Sequence, residues 1–222
     1  MKRIKSSVLP LCLLFLIPLM NIVYAHLNNS TRGLHSLVTD LDKSVPFIKS
    51  FAIPYVIWLP FLVITLIYLC FKNREVYYRV IISLILGLIA CFTIYFFFQT
   101  TVVRPQLQGK DFLTNLVRFV YATDSPFNCF PSIHVLTSYI LIKGTIKCSK
   151  KISLKSIIII VIASLIILST QFIKQHVIMD LIFAILLGNT TYKLVEYLSI
   201  ERSSSHVIKH YSTIPVTKKI GT

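Results

Sequence analysis

A chain of 222 residues that is 55% hydrophobic and only 14% charged is too apolar for an ordinary soluble domain. Its formal net charge is +15, from 23 Lys and Arg against 8 Asp and Glu, and its mean hydropathy is +0.75. Nucleic acid is a poor account of that charge, because the basic residues lie in short segments between and beyond apolar blocks, where membrane topology and anionic head groups place them.

Crossing the hydrocarbon core takes about 20 apolar residues in a helix. Six blocks fit, over 8–25, 51–71, 78–100, 131–147, 155–174 and 178–198. The sequence therefore predicts an all-α, polytopic membrane protein built as a six-transmembrane-helix bundle. The first block also reads as a signal peptide, with Lys2, Arg3 and Lys5 ahead of it and Val23-Tyr24-Ala25 as a cleavage site. Its length favours a retained helix. Pro18, Pro54 and Pro60 lie inside apolar segments, where neighbouring helices tolerate a kink.

Between the third and fourth blocks, Phe112, Leu113, Leu116, Val117 and Val120 recur at helical spacing. Lys110, Asp111, Asn115 and Arg118 fall largely opposite, which predicts an interfacial amphipathic helix. The fourth block is the least apolar, and Lys143 and Lys147 near its end can snorkel. Residues 1–200 form one catalytic domain in this reading. Residues 201–222 form a polar, flexible tail. Cys12, Cys70, Cys91, Cys129 and Cys148 show neither a CxxC pair nor a Cys/His ligand spacing, so no metal site, cofactor or disulfide framework is indicated.

Sixteen of the 23 lysines and arginines fall at the N-terminus, after the second and fourth blocks and in the tail. The positive-inside rule then puts both termini in the cytoplasm. Arg104, His134 and His176 all emerge on the opposite, extracytoplasmic or lumenal, face. Asn28 and Asn29 each begin a glycosylation sequon on that side.

Ionisable residues at the edge of a membrane are costly and tend to be functional. His176 and Asp180 stand four apart, on one helix face if the helix covers both. A carboxylate there can accept the imidazole Nδ1–H and leave Nε2 free for attack. The same spacing also serves a plain helix-end ion pair. In Pro131-Ser132-Ile133-His134, proline suits a first helical turn, and the Ser132 hydroxyl with free amides can receive an anion. His134, one turn in, can hold a proton for a leaving group. A capped helix with an interfacial histidine reads equally well. Arg104, followed by Pro105, and Lys174 are cations suited to phosphate oxygens or to snorkelling. Asp124 and Asn128 are polar neighbours or turn residues, and Cys129 is a neighbour of the site.

In that order, Arg-Pro, then Pro-Ser-x-His, then His-x-x-x-Asp, the chain resembles the type 2 phosphatidic acid phosphatase superfamily. The resemblance covers helices three to six, with its motif core over 104–180. It implies six membrane helices and chemistry through a phosphohistidine. The departures are specific. Phe97 stands where the family has a lysine, Ile133 replaces a glycine, and Ser169-Thr170 stand where the third motif opens Ser-Arg. Lys174 is the substitute at hand for one missing cation. Phe-Pro-Ser followed by an aliphatic residue and His, with the Ser-Thr opening, is similar to the inositol phosphorylceramide synthase branch, which transfers a phospho-head group between lipids.

The resemblance implies a lipid phosphatase acting on a lipid phosphate or diphosphate at the outer membrane face. His176 is the nucleophile, Asp180 orients it, and His134 is the acid and base. Arg104, Ser132 and Lys174 hold the phosphate, and no metal is required. Head-group transfer is the alternative. A catalytically inactive binding or transport protein on the same scaffold is the third reading. The expected partners are the bilayer and a lipid phosphate. Oligomeric state is not legible.

Overall fold

The computed structural model describes residues 8–31, 33–148 and 151–212. The basic cluster Lys2, Arg3 and Lys5, along with Arg32, Lys150 and residues 213–222, lies outside them.

The chain opens with α1 (Val8–Cys12), a 3-10 turn and α2 (Leu16–Leu27). After a short strand β1 (His35–Ser36) and the one-turn α3 (Asp40–Ser44) come α4 (Ala52–Val56) and α5 (Trp58–Lys72). The break between them has a local cause. Pro60 has no amide to donate to Val56, so the helix reforms only after Ile57. Next come α6 (Arg74–Phe97), β2 (Thr100–Thr101), α7 (Phe112–Thr123), α8 (Ile133–Lys147), α9 (Leu154–Phe172) and α10 (Ile178–Ser212). Strands β1 and β2 form one small parallel pair, His35 opposite Thr100.

Capping side chains set several helix starts. Asn73 accepts the Val76 amide at 3.2 Å, Asp111 that of Thr114 at 3.2 Å and Ser153 that of Ser156 at 3.2 Å. Each satisfies an amide that has no intrahelical partner.

Five helical stretches among the described residues are long and apolar enough to cross a membrane: Pro10–Leu27, Lys49–Lys72, Arg74–Phe97, Leu154–Phe172 and Ile178–Ile200. Their outward faces are apolar, with Ile64, Ile89 and Leu186 all exposed. A surface of that kind suits lipid rather than water. The chain is a predominantly helical membrane protein. Helix α8 packs against α5, α6, α9 and α10. Its approach to α6 is close: a Cβ on Gly144 would lie 2.2 Å from Val80 Cγ2. At the end of α8 remote from His134, Lys147 pairs with Glu196 at 3.0 Å, and Arg79 approaches the same carboxylate at 3.8 Å.

Three segments differ from the sequence reading: the third block, read over 78–100, is helical over Arg74–Phe97, and Thr100 pairs in β2 instead. The last helix runs to Ser212 instead of ending at 198, so the first part of the expected tail is helical. Pro131 precedes the helix instead of opening it, because Ser132 takes the capping position and α8 starts at Ile133.

Candidate active site

The turn between α9 and α10 is wound around one carbonyl. The amides of Gln175 and His176 both donate to Thr170 O at 3.1 Å. Lys174 sits in the left-handed region at φ 56°, which reverses the chain there. His176 therefore lies in the turn, two residues before α10, and does not share a helix face with Asp180. The pair still meets, because Asp180 reaches back. Its Oδ2 accepts the Val177 amide at 2.9 Å and faces His176 Nδ1 at 3.2 Å.

That nitrogen also lies 2.9 Å from the Cys129 carbonyl. Both neighbours are acceptors, so in the neutral imidazole Nδ1 carries the proton and Nε2 the lone pair. Asp180 is fully buried, and its Oδ1 has no partner among the described residues. Asp180 also ties the two motifs together, since its carbonyl accepts the Ser132 amide at 3.3 Å.

His134 lies in the first turn of α8, buried between two aromatic rings. Its ring centroid is 4.3 Å from that of Tyr55 and 4.1 Å from that of Trp58. Trp58 is fixed by its indole N–H, which donates to Thr137 Oγ1 at 2.8 Å. The Tyr55 hydroxyl is 3.5 Å from His134 Nδ1, but the rings stack at 27°, so that hydroxyl lies over the imidazole face. We read this contact as packing, since a hydrogen bond to a ring nitrogen lies near the ring plane. The centroids of His134 and His176 are 6.0 Å apart, with the rings tilted at 58°.

The expected phosphate ligands occupy different situations. Arg104 is half-buried and stacks over Tyr121, 4.4 Å from its centroid. It donates to the Tyr121 carbonyl at 2.9 Å and to the Asp124 carbonyl. It makes no ion pair among the described residues. Burial lowers its pKa, with Asp124 opposing, and an arginine keeps its charge regardless. Ser132 is fully buried, and its hydroxyl accepts the Val135 amide at 3.4 Å. Lys174 donates to the carbonyls of Asp42 at 2.8 Å and Val45 at 2.5 Å. Its ammonium thus braces a loop while lining a cavity.

Two cavities flank the histidines. One, of about 490 Å³, is lined by His176, Arg104, Lys174, Lys43 and Asp42, with Phe47 and Val103 among its apolar walls. The other, of about 350 Å³, is lined by His134, Tyr55, Trp58, Tyr24, Asp124 and Phe119. Ser132 lines neither.

Sequence reasoning missed Asp42, and it read Asp124 and Asn128 only as polar neighbours or turn residues. Asp42 receives the Ile178 amide at 2.7 Å and the Thr39 amide at 2.7 Å. Burial would raise its pKa, but these bonds, the Thr39 hydroxyl and the nearby Lys174 charge hold it below the ordinary carboxylate value. The signal was present as Thr39-x-x-Asp42, a capping-box spacing. Asp124 gathers Tyr24 at 2.6 Å, Tyr55 at 2.5 Å and Gln175 at 3.4 Å. No local pattern announces that convergence. Asn128 is buried, 3.2 Å from the Gln99 amide.

Cys129, His176 and Asp180 offer three metal-ligand atoms within 4.8 Å of one another. Holding an ion there would require the His176–Asp180 contact to open and the Cys129 thiol to lose its proton. Nδ1 and Oδ2 already face each other, and burial, with the Asp180 and Asp124 carboxylates, pushes the Cys129 thiol well above its ordinary pKa. A thiol must be deprotonated to ligate.

Comparison of the chain with family models, with curated proteins and with solved structures gave no match.

Proposed function

We propose that this chain is an integral-membrane lipid phosphatase of the type 2 phosphatidic acid phosphatase kind, working through a phosphohistidine on His176. The observation that carries the reading is the histidine pair. His176 turns Nδ1 to two acceptors, which leaves Nε2 as the nitrogen available for attack, and the His134 ring centroid lies 6.0 Å from its own, a separation that one phosphoryl group can bridge.

In this mechanism His176 Nε2 attacks phosphorus in line, forming an N–P bond. The bond from phosphorus to the lipid oxygen breaks, and its electron pair goes to that oxygen. Protonated His134 supplies the proton. Asp180 holds the Nδ1 proton and offsets the imidazolium charge. Neutral His134 then takes a proton from water as the water oxygen attacks phosphorus and the N–P bond breaks. Arg104 offsets charge on the phosphoryl oxygens.

The bundle would have six spans, with α8 as the sixth. At 15 residues it is only about 22 Å long. It is ringed by other helices, so it need not match the lipid thickness by itself. With six spans, the charge bias would leave both termini in the cytoplasm and the histidines on the far face. Helix α7 would lie in that interface. Val117 and Val120 face the bundle, while Phe112 and Phe119 are exposed.

Head-group transfer is favoured by one feature. A cavity of about 490 Å³ is of a size that holds a whole small molecule. A bare phosphoryl group needs far less room.

The test uses purified protein in phosphatidylcholine vesicles with a labelled lipid phosphate, with and without an alcohol acceptor. Free phosphate without acceptor supports the hydrolase. Product only with acceptor supports the transferase. No turnover and no acid-labile label on His176 would leave the inactive scaffold.

A further inference from the structure

The cavity beside His134 combines aromatic walls with a single carboxylate. Tyr24, Tyr55, Trp58 and Phe119 all line it, Asp124 joins them, and no lysine or arginine does among the described residues. Asp124 makes no ion pair among the described residues. Its Oδ1 accepts from Tyr24 at 2.6 Å and Asn28 at 3.4 Å, and its Oδ2 from Tyr55 at 2.5 Å and Gln175 at 3.4 Å. All four partners are neutral donors, so the lone pairs are satisfied while the charge stays uncompensated. Arg104 bonds the Asp124 backbone carbonyl, not the carboxylate, and lines the other cavity.

The two phenols meet different oxygens of that carboxylate, which holds both rings beside the charge. Trp58 spends its indole N–H on Thr137, so its ring is what it can offer a ligand. Aromatic faces attract cations, and more strongly where water is excluded. The carboxylate adds a full charge of the same sign. A hard metal cation would demand six or more oxygen ligands, which one aspartate and its neighbours do not supply. A quaternary ammonium has no N–H to satisfy and presents only carbon to the rings. About 350 Å³ leaves room for a trimethylammonium group and what it is attached to.

We infer that the cavity beside His134 is a binding site for a quaternary ammonium group. Val56, Leu59 and Phe119 line it and are exposed on the apolar side of the bundle, so the head group of a choline lipid reaches it from the bilayer. Free choline carries the same group. The site needs neither the cavity at His176 nor any chemistry, so it goes beyond the phosphohistidine reading and does not depend on it.

Trp58 is the single tryptophan of the chain and lines this cavity, so its emission reports occupancy. Purified protein in dodecyl maltoside micelles, which carry no ammonium group, is titrated with choline and separately with 3,3-dimethyl-1-butanol, the uncharged carbon analogue of the same shape. The expected result is a saturable change that choline brings about at least tenfold more tightly than the analogue. Asp124→Asn keeps an oxygen for the tyrosines but loses the charge, and should weaken choline at least tenfold. Phe119→Leu, at an exposed position, should weaken it several-fold with the thermal melt unchanged. Neither should alter binding of the analogue, and Val103→Phe, in the other cavity, should leave choline binding intact. Choline binding no tighter than the analogue overturns the assignment. So does choline binding unchanged in Phe119→Leu and in folded Asp124→Asn, or lost in Val103→Phe. If Asp124→Asn does not fold, Phe119→Leu decides. Dioctanoylphosphatidylcholine in the same micelles separates the sources: tighter binding than choline assigns the site to a choline lipid, and binding no tighter assigns it to a free quaternary ammonium compound. Absence of phosphohistidine would count against the catalytic reading and leave this site untouched.

Discussion

The Asp42 carboxylate accepts the amide of Ile178 at 2.7 Å, joining residues 136 apart in the chain. The first loop thereby caps the helix that begins just after His176. Lys174 returns the contact by donating to the Asp42 and Val45 carbonyls, and Ile48 donates to the Phe172 carbonyl at 2.9 Å. The turn that carries His176 is thus held by a segment more than 120 residues away in the chain.

Asp42→Ala should therefore destabilise the fold by about 1–2 kcal/mol, the usual cost of a lost helix cap. It should also lower turnover by displacing His176. Thermal melts and turnover of the same preparation check both, and Asp42→Asn should lose less of each.

The same group sets an acid limit. Its folded pKa lies below its unfolded value of about 3.9, so its stabilisation is whole above that value and fades as pH falls through the folded pKa. The protection factor of the Ile178 amide, the exchange rate of an unstructured amide at the same pH divided by its own, should fall below about pH 4 in the wild type. In Asp42→Asn that acid step should be missing. An unchanged acid step in the variant would assign it to another carboxylate.

His176→Ala should remove turnover by several orders of magnitude while the protein remains folded in vesicles. Asp180→Asn should cost less than His176→Ala, because the imidazole stays but its Nδ1 proton loses the anionic partner. Retained activity in His176→Ala would exclude that histidine as the nucleophile.

The two cations should separate. Arg104→Lys keeps the charge but loses the planar stack on Tyr121, and should cost roughly 10²-fold in kcat. Lys174→Met should act chiefly on the turn, lowering the melting temperature and kcat together. A variant of Lys174 that raises KM alone would instead make its ammonium a direct phosphate contact.

Gly144→Val should destabilise by about 1–3 kcal/mol through overpacking against Val80, with little change in substrate preference. A thermal melt beside a substrate panel checks it.

The histidine motifs were legible because each stands at the edge of an apolar block, and block length against bilayer thickness is a one-dimensional property. Residues 112–123 were legible for a similar reason, since their periodicity is local. The state of Ser132 and Lys174 was not. Each carries a group that phosphate accepts, yet Ser132 is buried as a cap and Lys174 is held by carbonyls 129 and 132 residues away. Asp124 was legible only as a polar neighbour, because Tyr24, Tyr55 and Gln175 reach it from three separate segments.

By itself, then, the sequence determined the helical membrane character, the helix starts with capping side chains and the identity of the ionisable groups. These follow from hydrophobic block length and from contacts within a few residues. The tertiary structure alone decided which polar groups meet. It placed two imidazoles 6.0 Å apart, gathered Lys43, Arg104 and Lys174 around one cavity, and used a distant loop to hold the turn. Buried hydrogen bonds must be satisfied wherever the packed helices bring donors and acceptors together, and that meeting is not written in any local pattern.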